Sequence, residues 1–288
     1  MVYVIIPVYN RKGTTRKCLE YLRKQSFNDF MTLMIDDGST DGTAAMISSD
    51  FPEVVLLQGN GELWWTKAVN MGIRNFMPHF KSGDYALFLN DDVDINKDYI
   101  SNLVICASKN PGALIGSLLK DKHSGEISFP LQEKKIGLAT PEAEAIFVES
   151  LVGRGMLVPV SVFEKVGLFD DALPHYSADT DFSLRAKNEG FDLIVSARAI
   201  IYYDMREKKI YYSSIVNPFE YLRWCFSIKN PFNIKSRYIM NKRHKKCWCL
   251  AFAYDILKII LRYPRNILIF ICRPMFIRRQ QRKHFSKG

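Results

Sequence analysis

The stretch Tyr85-Ala86-Leu87-Phe88-Leu89-Asn90-Asp91-Asp92-Val93-Asp94 joins an apolar run to a cluster of acidic and amide side chains. The run over residues 85–89 predicts a buried strand. Carboxylates crowded at the end of a strand lose solvation and repel one another, which costs free energy unless a cation offsets it. Mg²⁺ and Mn²⁺ take oxygen ligands of this kind and often bridge to phosphates. The stretch therefore predicts a metal-diphosphate site, with an acidic turn capping a helix near Asn96 as the structural alternative.

The first half of the chain alternates segments typical of strands with segments of helical spacing. We predict strands at Val2–Ile6, Phe30–Ile35, Val54–Leu57 and Tyr85–Leu89, and helices at Gly13–Lys24, Thr40–Ser48 and Leu63–Phe76. Repeated strand–helix units favour an α/β fold with a parallel sheet and helices on both faces. Ligands bind outside the carboxyl ends of the strands in such sheets. Three polar clusters are expected there: Tyr9-Asn10, Asp36-Asp37 and Asn90–Asp94.

The second half has a less regular pattern. Strands are predicted at Glu144–Val152, Met156–Val158, Leu193–Val195 and Ile200–Tyr203, and helices at Ser161–Val166 and Thr180–Glu189. Asp179 or Thr180 is expected near the cap of the last helix, because short oxygen-bearing side chains accept backbone N–H groups there. From about Met205 the pattern becomes aromatic, basic and helical. We therefore predict one domain over residues 1–204 and a helical extension over residues 205–288.

Charge is divided unevenly along the 288 residues, whose net charge is +10. Residues 1–204 carry 20 Lys/Arg and 27 Asp/Glu, a net of −7, whereas residues 205–288 carry 20 and 3, a net of +17. This asymmetry predicts a soluble domain followed by a basic extension that meets an anionic partner. Six cysteines without disulfide-like spacing indicate a reducing compartment. The N-terminus lacks the basic lead of a signal peptide, and charges interrupt the best candidate membrane span, Cys249–Cys272.

Six motifs occur in a recognisable order along the first 204 residues. They are Ile6-Pro7-Val8-Tyr9-Asn10, Ile35-Asp36-Asp37-Gly38-Ser39-Thr40-Asp41-Gly42-Thr43, Gly59-Asn60-Gly61-Glu62-Leu63-Trp64-Trp65, Leu89-Asn90-Asp91-Asp92, Gly153-Arg154-Gly155-Met156 and Ala178-Asp179-Thr180-Asp181-Phe182-Ser183-Leu184-Arg185. Together they resemble the inverting, metal-dependent family 2 glycosyltransferases of the GT-A fold, in particular bacterial rhamnosyltransferase-like enzymes of surface-polysaccharide assembly. The resemblance implies a mixed, mostly parallel sheet, with a nucleotide-sugar half over about residues 1–95 and an acceptor half over residues 96–204.

On the donor side, the resemblance implies contacts with a nucleotide-sugar from Pro7, Tyr9, Asp36, Asp37, Trp65, Lys67, Asn90 and Asp91. Tyr9 would pack on the nucleobase, and Asp37, with Asp36 beside it, would accept from a base N–H or a ribose hydroxyl. The structural alternatives are a plain turn at Tyr9, a helix N-cap formed by the Asp pair with Ser39 or Thr40, and core packing for Trp65. Simple solvent exposure is the alternative for Lys67.

The resemblance also implies that Asp92 is the main ligand of a divalent metal, Mg²⁺ or Mn²⁺, which neutralises the diphosphate as a Lewis acid. Many relatives complete the metal shell with a His at the end of the strand predicted here as Ile200–Tyr203. This chain has Tyr203 there, followed by Asp204. Neutral phenol is a poorer metal ligand than imidazole. Either Asp204 replaces the His, or Asp92, the diphosphate and water hold the metal.

Asp179 matches the catalytic base of the family, the carboxylate that takes the proton of the acceptor hydroxyl during an inverting transfer. A carboxylate at a helix start is also favoured by the macrodipole, so capping is the alternative for Asp179 and the favoured role of Asp181. The acceptor side implied by the resemblance consists of Arg154, His175, Tyr176 and Asp181. A strand bulge with a surface side chain is the alternative for Arg154.

The extension over residues 205–288 combines basic with aromatic and aliphatic side chains. This composition predicts amphipathic helices on an anionic membrane face. Packing on the domain and dimerisation are alternatives, and nucleic-acid binding is disfavoured by the high aliphatic content. We expect a cytoplasmic protein peripheral to the membrane, whose oligomeric state the sequence leaves open.

The leading hypothesis is a glycosyltransferase that moves a sugar from a UDP- or dTDP-linked donor to a hydroxyl of a glycan or lipid-linked acceptor. A catalytically inert sugar-nucleotide or glycan-binding subunit of a membrane complex is the alternative, and Tyr203 is its main support. A sugar nucleotidyltransferase is disfavoured, because no glycine-rich, lysine-containing phosphate loop lies near the N-terminus.

Overall fold

The computed structural model describes residues 1–128, 145–204 and 217–264. The described residues fall into two compact units, one within Met1–Asp204 and one within Met205–Gly288. The first unit is a sheet flanked by helices, and the second is a group of helices.

Ten strands are described in the first unit: β1 (Val2–Val8), β2 (Phe30–Asp36), β3 (Val55–Gln58), β4 (Tyr85–Phe88), β5 (Asp94–Ile95), β6 (Leu114–Asp121), β7 (Ile127–Ser128), β8 (Ala145–Phe147), β9 (Met156–Pro159) and β10 (Leu193–Tyr203). They form one sheet in the order β3-β2-β1-β4-β9-β6-β10-β5, with β7 beside β6 and β8 beside β10. The strands β1 to β4 pair in parallel, β9 runs antiparallel to β4 and β6, and β10 is parallel to β6. The sheet is therefore mixed, as predicted.

Helices cover the sheet: α1 (Lys12–Arg23), α2 (Thr43–Asp50), α3 (Trp64–Phe76), α4 (Tyr99–Lys109), α5 (Val162–Val166) and α6 (Ala178–Asn188). Nearly every residue of β1 is buried, which requires apolar side chains on both faces of the strand. Gly72 explains how closely α3 approaches: a Cβ at this position would lie 2.7 Å from Cγ2 of Ile5 on β1. An internal glycine lowers the stability of a helix, but here it lets α3 pack closely on the sheet.

The carboxyl ends of β1, β2 and β4 meet at one edge of the sheet. Val8, the last residue of β1, is in register with Asp36, the last of β2. Ile5 is in register with Phe88, the last of β4. Because the strands are parallel, the polar segments that follow them all leave the sheet at this edge.

The strand boundaries differ from the prediction in the second half of the unit. The strand predicted at Glu144–Val152 is reduced to Ala145–Phe147, and residue 144 lies outside the described residues. The strands predicted at Leu193–Val195 and Ile200–Tyr203 form one strand, β10, whose pairing with β6 shifts between Ser196 and Ile200. A register shift adds residues on one side without ending the strand, which sequence periodicity cannot distinguish from a loop.

The second unit contains α7 (Pro218–Phe226), α8 (Ile234–His244) and a third helix over residues 248–264. The Asn217 side chain accepts from two backbone N–H groups of α7, and Asn233 caps α8 in the same way. The Tyr221 hydroxyl donates to the carbonyl of Ile259 at 2.6 Å, which ties α7 to the third helix. Across the described ranges, no helix is both long and apolar enough to span a membrane.

Candidate active site

One turn, at residues 153–155, joins two of the predicted site carboxylates. The backbone N–H of Gly153 donates to Oδ2 of Asp179 at 2.8 Å. The guanidinium of the next residue, Arg154, donates to Oδ2 of Asp92 at 3.1 Å. Gly155, with φ at +82°, donates its own N–H to β4. Neighbouring residues of one turn therefore bring the predicted catalytic base and the predicted metal ligand to the same site.

Asp91 faces away from solvent and anchors α1. Its carboxylate accepts from Nη1 of Arg11 at 2.8 Å and from Oγ1 of Thr15 at 3.4 Å, and only 4 % of its surface is exposed. Burial raises the pKa of Asp91 to about 6, although the Arg11 charge opposes the shift. The two hydrogen bonds of the Asp91 carboxylate come from Thr15 of α1 and from Arg11, which directly precedes α1. The direct contact of Asp91 with the donor stays a prediction.

One carboxylate oxygen of Asp92 receives no hydrogen bond from the part of the chain that the structure describes. Its Oδ2 is bound by Arg154, and Nη2 of Arg11 lies 3.6 Å from the same atom. Its Oδ1 is buried and has no hydrogen-bond partner among the described residues. A buried, unpaired carboxylate oxygen is costly. This atom therefore fits a cation or a donor group that a ligand supplies.

A metal at Asp92 would need most of its ligands from elsewhere. No group of three or more His, Cys, Asp or Glu side chains in the described ranges could hold a metal ion. Oδ2 of Asp204 lies 2.9 Å from Nε2 of His123, and the Tyr203 ring lies under the Arg154 guanidinium at 5.1 Å. The residues fit a cation that takes one oxygen from Asp92 and the rest from a diphosphate and water, as Mg²⁺ often does. The role of Asp204 as a ligand stays a prediction.

Asp179 lies in the first turn of α6 with both carboxylate oxygens held by backbone N–H groups. Gly153 binds Oδ2, and the N–H of Thr180 donates to Oδ1 at 2.8 Å. Burial raises the pKa of Asp179, and the two N–H groups oppose this rise. The N-cap of α6 is Ser177, in the left-handed region at φ +72°, so Asp179 and Thr180 lie two and three residues after the cap, near it as predicted. A carboxylate with a raised pKa at a helix start suits a general base.

Trp65 forms a wall beside Asn90 and the turn at residues 153–155. Its Nε1–H donates to Oδ1 of Asn90 at 3.3 Å, and its ring meets Phe169 edge-on at 5.3 Å. A Cβ on Gly153 would overlap the Trp65 ring, so this position has room only for glycine. Trp65 is half-buried, which agrees both with a contact to the donor and with packing in the core. Lys67, one turn along α3, is exposed.

The Asp36-Asp37 pair is occupied by backbone groups. Oδ1 of Asp37 accepts from Gly61 N–H at 2.8 Å, and Oδ2 accepts from Leu63 and Trp64 N–H at 2.9 and 3.0 Å. Asp36 accepts from the N–H of Ser39 at 2.9 Å. Asp37 thus holds the start of α3, a role that the sequence did not suggest, and its predicted contact with a nucleobase or ribose stays a prediction.

The N-cap that Ser39 or Thr40 offered as a structural alternative is not observed at α2, which begins at Thr43 after Gly42. The Asp41 side chain accepts from Thr43 N–H at 3.0 Å, whereas Oγ of Ser39 accepts from Asn10 N–H at 2.8 Å. Gly38 and Gly42 both have positive φ, at +79° and +83°. The chain therefore turns twice before the helix begins, and this places the start of α2 beyond Ser39 and Thr40.

The end of β1 offers an aromatic surface. Tyr9 is 55 % exposed, whereas Pro7 is half-buried within the strand. Asn10 adopts φ +50° and its Oδ1 accepts from Thr40 N–H at 2.7 Å. In the described residues only Asn10, Trp64 and Ser177 combine a side chain with positive φ. Asn10 follows the end of β1, Trp64 is the first residue of α3, and Ser177 directly precedes α6. Strained backbone torsions of this kind cluster at functional sites.

The acceptor-side residues divide into two groups. Asp181 is fully buried, and its carboxylate pairs with Nε of Arg185 at 2.9 Å, so its position favours the structural role over contact with a ligand. His175 and Tyr176 are half-buried with their rings 4.4 Å apart. The His175 ring also lies 5.6 Å from that of Trp64. The His175-Tyr176 pair thus lies beside Trp64, the residue before Trp65.

Arg11 and Thr15 were absent from the sequence prediction. Both lie on or next to α1 and reach Asp91 across 76 or more residues of sequence. Their signal was present but weak: Arg11 directly follows the Tyr9-Asn10 cluster, and a basic residue near predicted carboxylates is a natural partner for them.

The family model for glycosyl transferase family 2 matches residues 3–167. The chain belongs to glycosyl transferase family 2. Glycosyltransferase GlyA of Streptococcus pneumoniae is 33 % identical over 107 residues, covering 35 % of this chain and 14 % of GlyA. An uncharacterized glycosyltransferase of Rickettsia typhi is 26 % identical, covering 67 % of this chain and 61 % of its own length. The amylovoran biosynthesis glycosyltransferase AmsB of Erwinia amylovora is 26 % identical over 70 % of this chain and 69 % of AmsB.

Solved structures support the fold of this family 2 member. The S. aureus TarS 1–349 complex with UDP-GlcNAc has a TM-score of 0.56 at 18 % identity, covering 84 % of this chain and 70 % of that one. The mannosyltransferase PcManGT from Pyrobaculum calidifontis, in complex with GDP-Man and Mn²⁺, has a TM-score of 0.58 at 13 % identity, covering 100 % and 80 %. These structures confirm the predicted GT-A type fold, and the family model confirms the resemblance to family 2.

Proposed function

We propose that this glycosyltransferase inverts the configuration of a sugar as it moves it from a nucleotide-diphospho-sugar to a hydroxyl of a glycan or lipid-linked acceptor. The observation that carries the proposal is the turn at residues 153–155, which binds Asp92 and Asp179 through adjacent residues. An inverting transfer needs one charged group beside the leaving diphosphate and a base beside the nucleophile. Two separately held carboxylates suit these two tasks.

Asp179 acts as the general base in this proposal. The acceptor oxygen attacks the anomeric carbon as the bond from that carbon to the diphosphate oxygen breaks, and the acceptor proton passes to Asp179. Its raised pKa makes it a stronger base than an ordinary carboxylate. The N–H groups of Gly153 and Thr180 fix the orientation of the carboxylate before the acceptor binds.

The leaving group would meet two guanidinium groups and one open carboxylate oxygen. Arg154, whose side chain is 12 % exposed, offers a forked donor that suits phosphate oxygens. Arg11 lies beside it at Asp92. A divalent cation, Mg²⁺ or Mn²⁺, at Oδ1 of Asp92 would act as a Lewis acid on the diphosphate. The presence of Mn²⁺ with GDP-Man in PcManGT supports this role for a metal.

The donor in this proposal is UDP- or dTDP-linked. The exposed Tyr9 ring offers a face for the base, and UDP-GlcNAc in the TarS complex supports a uridine nucleotide. We place the enzyme in the cytoplasm at the membrane face, since residues 205–288 carry 20 Lys/Arg and 3 Asp/Glu.

The second candidate is a catalytically inert subunit that binds a sugar nucleotide or a glycan. The contact between Arg154 and the Tyr203 ring favours it, because the residue in the expected metal-ligand position serves a side-chain cation instead. The two candidates agree on donor binding and differ on turnover.

The test begins with thermal unfolding of the full chain against UDP, dTDP and GDP and their sugars, with and without Mn²⁺. A ligand that binds the folded state raises the melting temperature by mass action. We expect a metal-dependent rise with a UDP or dTDP compound. The absence of a rise with every nucleotide would overturn the donor site.

Nucleotide release from the sugar that binds then separates the two candidates. The wild type should release UDP or dTDP in the presence of an acceptor preparation, and Asp179→Asn should bind the donor equally well but turn it over about 10²–10⁴-fold more slowly, the usual worth of a general base. Binding without release in the wild type would favour the inert subunit. Full release by Asp179→Asn would refute the assignment of the base.

A further inference from the structure

The helix over residues 248–264 is apolar on two opposite faces. Its inner face packs within the second unit: the rings of Trp248 and Phe252 lie 5.8 and 5.5 Å from that of Tyr238. The carbonyl of Ile259 accepts from Tyr221, as described above. An ordinary surface helix would carry polar side chains on its other face.

The outer face of this helix carries an exposed apolar stripe, defined here as Leu250, Tyr254, Leu257 and Leu261. Their exposed fractions are 74, 58, 50 and 59 %. At about 100° per residue, the four side chains fall within roughly 60° of one another and about 180° from the inner face. Exposed apolar groups aligned in this way mark an interaction surface, whereas scattered ones need no explanation.

The unit that carries the stripe has an excess of positive charge. Residues 217–264 contain 10 Lys/Arg and 2 Asp/Glu, a net of +8. The segment just before the helix exposes Lys242, Arg243, Lys245 and Lys246. Within the helix, Nζ of Lys258 lies 4.1 Å above the Tyr254 ring. The helix's own acidic residue, Asp255, turns inward, where it accepts from the Asn241 side chain at 2.8 Å.

We propose that the apolar stripe docks on an anionic lipid membrane, with the helix lying flat in the interface and the basic side chains at the head groups. Apolar burial combined with basic flanks is the chemistry of interfacial helices. A second copy of the chain is a poor occupant of the stripe, because two copies of residues 217–264, each with a net charge of +8, would repel each other. Long Lys and Arg side chains reach the head groups while their stems stay among apolar groups.

Co-sedimentation of the full chain with vesicles tests this surface. One set of vesicles is phosphatidylcholine alone and the other contains a third phosphatidylglycerol. We expect binding to the anionic vesicles and at least a tenfold weaker partition for the triple variant Leu250→Gln, Leu257→Gln, Leu261→Gln. The matched control is Ile105→Gln, which removes another exposed apolar side chain, on α4 of the first unit, and should bind as the wild type does.

A second variant separates the two contributions. Replacing Lys242, Arg243, Lys245 and Lys246 by Gln should remove the preference for anionic vesicles and flatten the salt dependence, since head-group attraction is screened by salt. Circular dichroism checks that each variant keeps its helices.

Three outcomes would overturn the proposal: wild type that binds neither vesicle, a triple variant that binds as the wild type does, or a wild-type dimer that the triple variant converts to a monomer. The last would assign the stripe to a second copy of the chain. The readout is sedimentation, so the result is independent of whether the transferase assignment holds.

Discussion

Two strands of the sheet end in a pair of aspartates, and the two pairs have opposite surroundings. Asp37, after β2, has both oxygens occupied by backbone N–H groups at the start of α3. Asp92, after β4, meets two guanidinium groups on one oxygen and has no hydrogen-bond partner on the other among the described residues. The three backbone donors on Asp37 hold the start of a helix, whereas an oxygen that receives no donor is open to a ligand. The same residues at the same edge of a sheet thus serve different purposes.

The largest effect is expected when the open site loses its charge. Asp92→Asn should lower turnover about 100- to 1000-fold, because charge stabilisation of a leaving diphosphate is worth several kcal/mol. Stability should change by less than about 1 kcal/mol, because the loss of the ion pair with Arg154 is offset when a mostly buried carboxylate with one unpaired oxygen no longer carries charge. Initial rates at saturating donor and a thermal melt measure the two effects. Turnover within tenfold of wild type would contradict the role given to Asp92.

The next largest effect is expected on the pH dependence of the transfer rate. It concerns Asp179, whose carboxylate is compared with those of Asp37 and Asp92. The base must be deprotonated, so the rate should rise about tenfold per pH unit below the pKa of Asp179 and level off above it. Because burial raises this pKa, the bend should lie above the ordinary range of an Asp side chain. A profile of kcat/KM against pH locates the bend. A bend at the ordinary Asp pKa would argue against the assignment.

The free energy of unfolding should distinguish Asp37, whose oxygens are bound by backbone N–H groups, from Asp92. Asp37→Asn weakens a charged acceptor of three backbone hydrogen bonds and should cost about 2–4 kcal/mol, as bonds to charged groups are the stronger ones. Denaturant unfolding of this variant and of the matched Asp92→Asn gives the comparison directly. If Asp37→Asn unfolds like wild type but loses affinity for the nucleotide, Asp37 is a donor ligand, as the resemblance implied.

The smallest effect is expected at the wall of the site. Trp65→Phe removes the N–H donor to Asn90 and keeps a ring against Phe169. The KM for the donor should rise by less than about tenfold, because a neutral hydrogen bond contributes about 0.5–1.5 kcal/mol. Trp64→Phe is the control, since its ring faces His175 instead. Steady-state kinetics with both variants would show whether Trp65 has the larger influence.

Most strands of the first half could be predicted from the sequence, because strands buried on both faces consist of continuous apolar runs. The four strands of the first half lie within one or two residues of their predicted ends, as for β1 at Val2–Val8. The errors lie where the pattern carries no such signal. The bulge within β10 and the left-handed turns at Gly38 and Gly42 depend on pairing and on backbone torsion, which hydrophobic spacing does not report.

The site was only partly predictable for a related reason. The carboxylates Asp92 and Asp179 were found from motifs, but their partners come from distant parts of the chain. Asp92 is joined to Arg154 across 62 residues and Asp37 to Trp64 across 27. A helix cap supplied from another strand end leaves no trace in the local sequence of the helix it caps.

The sequence by itself determined the α/β fold, the family, the acidic edge of the sheet and the basic character of the C-terminal region. These follow from composition, periodicity and motif order, which are local properties of the chain. Only the tertiary structure decided which carboxylate is filled and which is open, and which face of the helix over residues 248–264 stays exposed. Both depend on the groups that folding brings near each side chain, because solvation and hydrogen-bond partners are set in space and not along the chain.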